Sequence, residues 1–196
     1  MTRIFLAGLF AILALGLLDR NQQADSAELL MVQYGSTQSD EEDTAPGQGC
    51  VRFDPDDVEV VITPGGYGLS SAGTWITEVE GSRAEARLAV YIIRFYGMDE
   101  FCTIGRDGKT LSYYLVNGWA PQGRSPSEDC LWFDSTWSQL KNIDGWWTLV
   151  DRNNTALSLG RDKAAAQLAV KTIQAKNFSE ICFVGRPNPS MVYFIR

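Results

Sequence analysis

The chain contains no histidine at all. That removes the commonest general base, the Ser-His and Cys-His nucleophile pairs, and most catalytic zinc sites. No two of its four cysteines stand in C-x-x-C spacing, so the close thiolate set of a structural zinc site is missing as well. There is no phosphate-cradling glycine loop, since Gly65-Gly66-x-Gly68 has Gly145-Trp146-x-Thr148 as its counterpart further on. Neither half carries a basic stripe, which disfavours nucleic acid as a partner. The one long apolar run, Ile4 to Leu18, is short of the roughly 20 residues a membrane-spanning helix needs. With Arg3 before it and Ala24-x-Ser26 after it, residues 1–27 read as a cleaved export signal.

What the chain does have is a duplication. Shifting the sequence by 80 positions superposes Cys50 on Cys130 and Cys102 on Cys182, and no gap is needed over the rest. Residues 50–116 and 130–196 share 16 identities in 67 positions, where ordinary composition gives roughly four by chance. The shared positions include Phe53-Asp54, Gly65, Leu69, the helical set Ala84, Ala86, Leu88, Ala89, Val90, Ile93, the string Glu100-x-Cys102-x-x-Gly105-Arg106, and Tyr113. Repeat 1 is assigned to residues 49–117, a linker to 118–128 and repeat 2 to 129–196. Of the three possible cysteine connectivities, only Cys50–Cys102 with Cys130–Cys182 treats the repeats alike. Each bridge would close a loop of about 53 residues, worth about 4 kcal/mol in the chain-entropy model. A module of roughly 70 residues has a small core and benefits from such a staple. The cystines and the leader together predict a secreted, periplasmic or cell-surface protein.

The net charge of −7 misleads as a guide to partners. Seven acids lie before Cys50, four of them in the run Asp40-Glu41-Glu42-Asp43, and residues 50–196 hold 15 basic against 17 acidic side chains. Residues 28–48 are therefore read as an acidic solvated spacer.

Each repeat reads as extended segments around one helix. Trp147–Asp151 and Thr155–Leu159 alternate at period two around Arg152-Asn153-Asn154, which predicts a hairpin. Ser82 and Asp162 stand at helix N-caps, Ser82-x-x-Glu85 forms a capping box, and Gly97 and Asn177 stand where a left-handed C′ residue is required. Ala86, Ala89, Val90 and Ile93 form a stripe suited to a sheet. Ala84 and Leu88 point nearly opposite, so the sister repeat is a candidate to cover that side. The fold class is α+β: two tandem homologous modules, each a small antiparallel sheet with one helix packed on it and one internal disulfide.

Two sets of side chains are candidates for function. The polar set is Asp54, Arg106, Asp134 and Arg186, each Asp four residues after a first cysteine and each Arg four after a second. Cystine formation could bring Asp to Arg as a structural pair or a turn cap, and a ligand-binding arginine is the sharper reading. The aromatic set is Trp132, Trp137, Trp146 and Trp147, which face Arg52, Asp57, Gly66 and Tyr67 in the alignment. Shared residues hold the shared fold, so unshared aromatics are freer to serve a surface, and Trp146 and Trp147 on one strand must face opposite ways. No metal or cofactor is implied: Asp54-Pro-Asp56-Asp57 lacks the spacing of an EF-hand-type calcium loop.

The string Cys182-Phe-Val-Gly-Arg-Pro187-Asn-Pro-Ser-Met191-Val-Tyr193, with the Cys-x-x-Phe-Asp opening, resembles a tandem cystine repeat of exported bacterial proteins that has a C-x-x-G-R-P tail motif. Repeat 1 departs from it, with Asp107 in place of the proline. The resemblance implies export and repetition and carries no site residue. The functional expectation is a secreted, non-catalytic binding or adhesion module for an extracellular glycan or protein. The alternatives are an inhibitor or effector that blocks an extracellular enzyme, and a hydrolase built on carboxylates such as Asp54/Asp134 and Glu100/Glu180.

Overall fold

The computed structural model describes residues 48–106, 110–124, 129–152 and 156–196. The export signal, all but Gln48 of the acidic spacer, the turns at Asp107-Gly108 and Asn153-Asn154 and part of the linker lie outside the described residues. Repeat 1 consists of β1 (Gln48–Arg52), β2 (Val58–Thr63), β3 (Gly66–Ser71), β4 (Thr74–Val79), α1 (Arg83–Tyr96), β5 (Glu100–Ile104) and β6 (Leu111–Leu115). Repeat 2 follows the same order with β7 (Asp129–Trp132), β8 (Gln139–Ile143), β9 (Trp146–Val150), β10 (Ala156–Ser158), α2 (Lys163–Ala175), β11 (Glu180–Val184) and β12 (Met191–Ile195). The fold is α+β, and each repeat holds two antiparallel three-stranded sheets, ordered β2-β3-β4 and β1-β5-β6 or β8-β9-β10 and β7-β11-β12.

The cystines form as the repeat symmetry requires, Cys50 to Cys102 and Cys130 to Cys182. Each joins directly opposite residues of neighbouring strands, Cys50 of β1 facing Cys102 of β5 and Cys130 of β7 facing Cys182 of β11. The opening strand of each repeat lies at a sheet edge and is held there by a covalent bond as well as its ladder. The helices start and stop where their terminal residues dictate. The Ser82 hydroxyl accepts from Glu85 N at 3.3 Å while the Glu85 carboxylate accepts from Ser82 N at 2.6 Å, closing the capping box. The Ser82 backbone N–H, and after it the Ser82 hydroxyl, hold the Glu85 carboxyl below its ordinary pKa. The Asp162 carboxylate caps α2 by accepting from Ala164 N and Ala165 N. Gly97 and Asn177 have φ of 65° and 57°, and the apolar residues after them, Met98 and Phe178, are fully buried.

The two repeats do not enclose separate cores. Buried side chains fall into two clusters, and each draws on both repeats. The first joins Ala86, Ala89, Ile92 and Ile93 of α1 and Val58 and Leu69 of its own hairpin to Cys182, Val184, Met191, Tyr193 and Ile195 of repeat 2. The second joins Ala166, Ala169 and Ile173 of α2, with Leu149, to Cys102, Ile104, Leu111, Tyr113 and Leu115 of repeat 1. Strand periodicity accounts for this. On β6 the odd-numbered residues face the second cluster and Tyr114 the first; on β12 the odd-numbered residues face the first and Phe194 the second. Strands β6 and β12 are neighbours, so their sheets form a middle layer with α1 on one face and α2 on the other. The expected stripe on α1 is buried, with Ile92 added to it and Val90 at its margin, and strands β11 and β12 of the sister repeat supply much of its cover.

The seam constrains one of the two equivalent glycines, since a Cβ at its counterpart Gly105 would meet Thr110 of its own repeat instead. Gly185 follows β11 with φ of 79°, and a Cβ there would collide with Oε1 of Glu85, the capping residue of the other repeat's helix. Gly185→Ala is therefore expected to do two things, strain a left-handed backbone position and push Glu85 out of its box. Each effect costs about 1 kcal/mol. Chemical denaturation of G185A, E85A and the double variant checks this. Most of the G185A cost beyond backbone strain should vanish in the E85A background, and strict additivity of the two changes would show that the collision is not the cause.

Candidate binding surface

The polar residues mark turns rather than a site. After the first strand of each repeat the chain makes a 3₁₀ turn, Pro55–Asp57 or Ser135–Trp137, and the aspartate before it caps that turn. Asp54 Oδ1 accepts from Asp56 N at 2.9 Å, and Asp134 Oδ1 accepts from the amide and hydroxyl of Thr136 at 3.0 and 2.6 Å. The Thr136 hydroxyl is the main cause holding the Asp134 carboxyl below its ordinary pKa. The expected pairing of Asp with Arg is not made. Arg186 instead forms a two-pronged ion pair with Asp129 and lies 5.1 Å over the Phe183 ring. Repeat 1 cannot copy that arrangement, because Gly49 and Thr103 stand where repeat 2 has Asp129 and Phe183. Arg106 is exposed. Of the two sequence readings for the aspartates, turn capping is the one the geometry supports.

Glu100 and Glu180 sit beside the cystines and face Arg52 and Arg124 at 3.5 and 3.8 Å. Each glutamate with its two neighbouring cysteines has the compactness of a metal-ligand set. Both sulfurs are spent in the disulfide, however, and a cystine offers no thiolate.

The tryptophans divide by exposure. Trp132 on edge strand β7 is 55% exposed, Trp137 in the 3₁₀ turn 54% and Trp146 at the start of β9 45%. Trp147, its chain neighbour, points the other way and packs half-buried against the second core. The strand alternation required this split. Three of the four candidates are therefore surface groups.

Cations lie over the indoles. The Arg152 guanidinium carbon is 3.3 Å from the centroid of Trp137, that of Arg161 is 4.8 Å from Trp146, and Lys163 Nζ is 5.3 Å from Trp147. Alignment of the repeats sorts these pairs. Trp147 with Lys163 answers to Tyr67 with Arg83, an aromatic and a cation in both copies, so that pair belongs to the common scaffold. Trp137 with Arg152 answers to Asp57 with Ala72, and Trp146 with Arg161 to Gly66 with Gly81, so both members of these pairs are peculiar to repeat 2. They sit at opposite ends of the β8-β9 pair: Trp137 precedes Gln139, which faces Val150, whereas Trp146 faces Ile143. About 13 Å of strand separates those ends. Ile143 is itself exposed and extends the apolar surface beside Trp146.

Sequence reasoning missed the two arginines, because Arg152 reads as a turn residue and Arg161 as a helix-flanking charge. The signal was there: small residues occupy both positions in the other copy. It also missed Tyr91 and Phe95, which are exposed on α1 with ring centroids 6.0 Å apart. Their i, i+4 spacing lies off the buried stripe, and their counterparts are Lys171 and Ala175. Trp75, unshared as well, is structural: it covers Gly68 of the neighbouring strand, where any Cβ would strike the indole.

No protein-family model, curated protein or solved structure matches the chain. The resemblance to exported cystine repeats thus lends no residue a role. Two disulfides fit an oxidising compartment, and among the described residues no helix is long and apolar enough to cross a membrane.

Proposed function

We propose that the protein is a secreted, non-catalytic binding module that grips an acidic extracellular protein through the arginine-capped tryptophans of repeat 2. The observation that carries this reading is the pairing of Trp137 with Arg152 and of Trp146 with Arg161, both absent from the sister repeat. Tryptophan and arginine are the residues that most often dominate protein interfaces, and a guanidinium stacked on an indole keeps its edge donors free for a carboxylate. A protein partner is favoured over a glycan because a guanidinium lies at each of the two indoles, and its donors suit carboxylates, which a neutral sugar lacks. Cystines in both repeats and the interlocked cores give such a surface a rigid support, which limits the entropy lost on binding.

The test is cross-linking of the whole exported chain to the extracellular proteins of its source, run beside a glycan array. Trp137→Ala with Trp146→Ala should weaken capture of an acidic protein roughly 30-fold or more, the loss of two interface anchors worth ~1–2 kcal/mol each. Trp119→Ala, which removes an exposed tryptophan of the linker that carries no stacked arginine among the described residues, should leave it unchanged. Equal capture by the double variant, or selective binding to a neutral glycan, would count against the proposal.

A further inference from the structure

The outer side of α1 carries the pattern of a helix-pairing stripe. Ala84, Leu88, Tyr91 and Phe95 stand at i, i+4, i+7 and i+11, the alternating spacing by which one helix offers a continuous apolar line to another. Ala84, Tyr91 and Phe95 are exposed, and Leu88 is half-buried at the margin of the first core. The rings are braced from below. Tyr91 and Phe95 have centroids 6.0 Å apart, Phe95 meets Tyr96 edge-on at 5.0 Å, and Tyr96 lies 6.2 Å from Tyr193 of repeat 2. Aromatics supported in this way lose little freedom when a partner covers them. Arg87 and Arg94, one heptad apart, flank the stripe on one side. Both are exposed, and neither makes an ion pair among the described residues. Arg94 donates through Nη2 to Asp56 O and Val58 O at 2.9 and 2.8 Å, which fixes its charge in place. The shared fold needs neither the rings nor the charges, because repeat 2 has Lys171 and Ala175 at the ring positions and Gln167 and Gln174 at the arginines.

We propose that α1 docks an amphipathic helix of another protein, with its apolar side on the stripe and acidic residues beside Arg87 and Arg94. Charge complementarity selects that occupant. A second copy of α1 laid antiparallel would set arginine against arginine. An anionic bilayer would meet the whole of residues 50–196, where 17 acids outnumber 15 bases, whereas a helix meets this strip alone. The face shares no residue with the tryptophan surface, and either can fail without the other.

The probe is a three-heptad peptide with leucine at a and d and glutamate at e and g, whose like-charged flanks keep it from pairing with itself. Its control has lysine in place of every glutamate. In amide NMR of the whole chain, the glutamate peptide should give saturable shifts centred on Arg83–Tyr96. It should bind about tenfold or more tighter than the lysine peptide, what two exposed charge pairs contribute. Tyr91→Lys with Phe95→Ala should weaken the binding about thirtyfold, the loss of two anchors. Repeat 2 holds a helix with those same residues at these positions, and unchanged far-ultraviolet dichroism will show that the variant is folded. Arg87→Gln should weaken binding about two- to fivefold at low salt and flatten its salt dependence. Trp137→Ala should leave the titration unaltered. No saturable shift from the glutamate peptide, equal binding of the lysine peptide, or unweakened binding to the Tyr91→Lys, Phe95→Ala variant would overturn the proposal. So would tighter binding to phosphatidylglycerol vesicles than to the peptide, or a dimer of the chain that Tyr91→Lys disperses, since each gives the face a different occupant.

Discussion

A fragment carrying repeat 1 alone, residues 48–124, will not fold as a monomer. Of the 16 buried residues in the core that holds α1, five come from repeat 2: Cys182, Val184, Met191, Tyr193 and Ile195. Each such side chain stabilises by about 1.5–3 kcal/mol when buried, so their loss removes roughly 10 kcal/mol, as much as the net stability of an ordinary domain. Truncation would also uncover the second-core face of β6, where Leu111, Tyr113 and Leu115 are now buried against repeat 2. The converse fragment, residues 129–196, loses the same strand residues from around α2. Each fragment alone should therefore show no cooperative unfolding transition, or should pair with a second copy of itself in place of its sister. Mixing the oxidised fragments should restore helix content and a one-to-one complex, read by circular dichroism and light scattering. A monomeric, cooperatively unfolding repeat 1 would show that the shared cores are not what hold the fold together.

That interlocking is the part of the fold hardest to see in one chain. Features set by neighbours along the sequence were readable in it. The capping box at Ser82 and Glu85 and the left-handed Gly97 and Asn177 are decided within one turn of helix, and the cystine pairing follows from the repeat symmetry. The two-sided covering of α1 expected from Ala84 and Leu88 is not found: Ala84 is exposed, and Leu88 is half-buried at the edge of the same first core that holds the main stripe. What periodicity cannot say is which sheet covers a stripe. The sequence of β12 shows Met191, Tyr193 and Ile195 on one face, and nothing local states that this face meets α1 rather than α2. The candidate surface was legible to the same degree. Alignment of the copies singled out Trp137 and Trp146 as unshared, whereas the arginines over them lie 15 residues away in sequence and meet them only through the sheet and its flanking loops. The Asp-to-Arg pairing failed for a comparable reason. Each aspartate finds a backbone amide two residues on, a local bond that forms before any distant arginine can compete.

Removal of the Cys50–Cys102 bridge should destabilise the helix of the other repeat. The bridge spans 52 positions, and the chain-entropy model assigns a loop of that length about 4 kcal/mol. The location of its inner half decides which helix feels the loss. Cys102 is buried in the second cluster with Ala166, Ala169 and Ile173 of α2, and Cys182 is buried in the first with Ala89 and Ile93 of α1. Each cystine thus pins an edge strand to the sheet on which the sister repeat's helix rests. Alanine at both positions is the cleaner change, because serine would place a hydroxyl against apolar neighbours and add its own desolvation cost. Cys50→Ala with Cys102→Ala should lower stability by about 4 kcal/mol in a single transition. It should speed hydrogen exchange of the α2 amides at least as much as that of the α1 amides. The pair Cys130→Ala and Cys182→Ala should act in mirror fashion, with α1 losing protection first. If each double variant loosened only the helix of its own repeat, the two modules would be joined in sequence but independent in energy, and the shared core would be a contact without consequence.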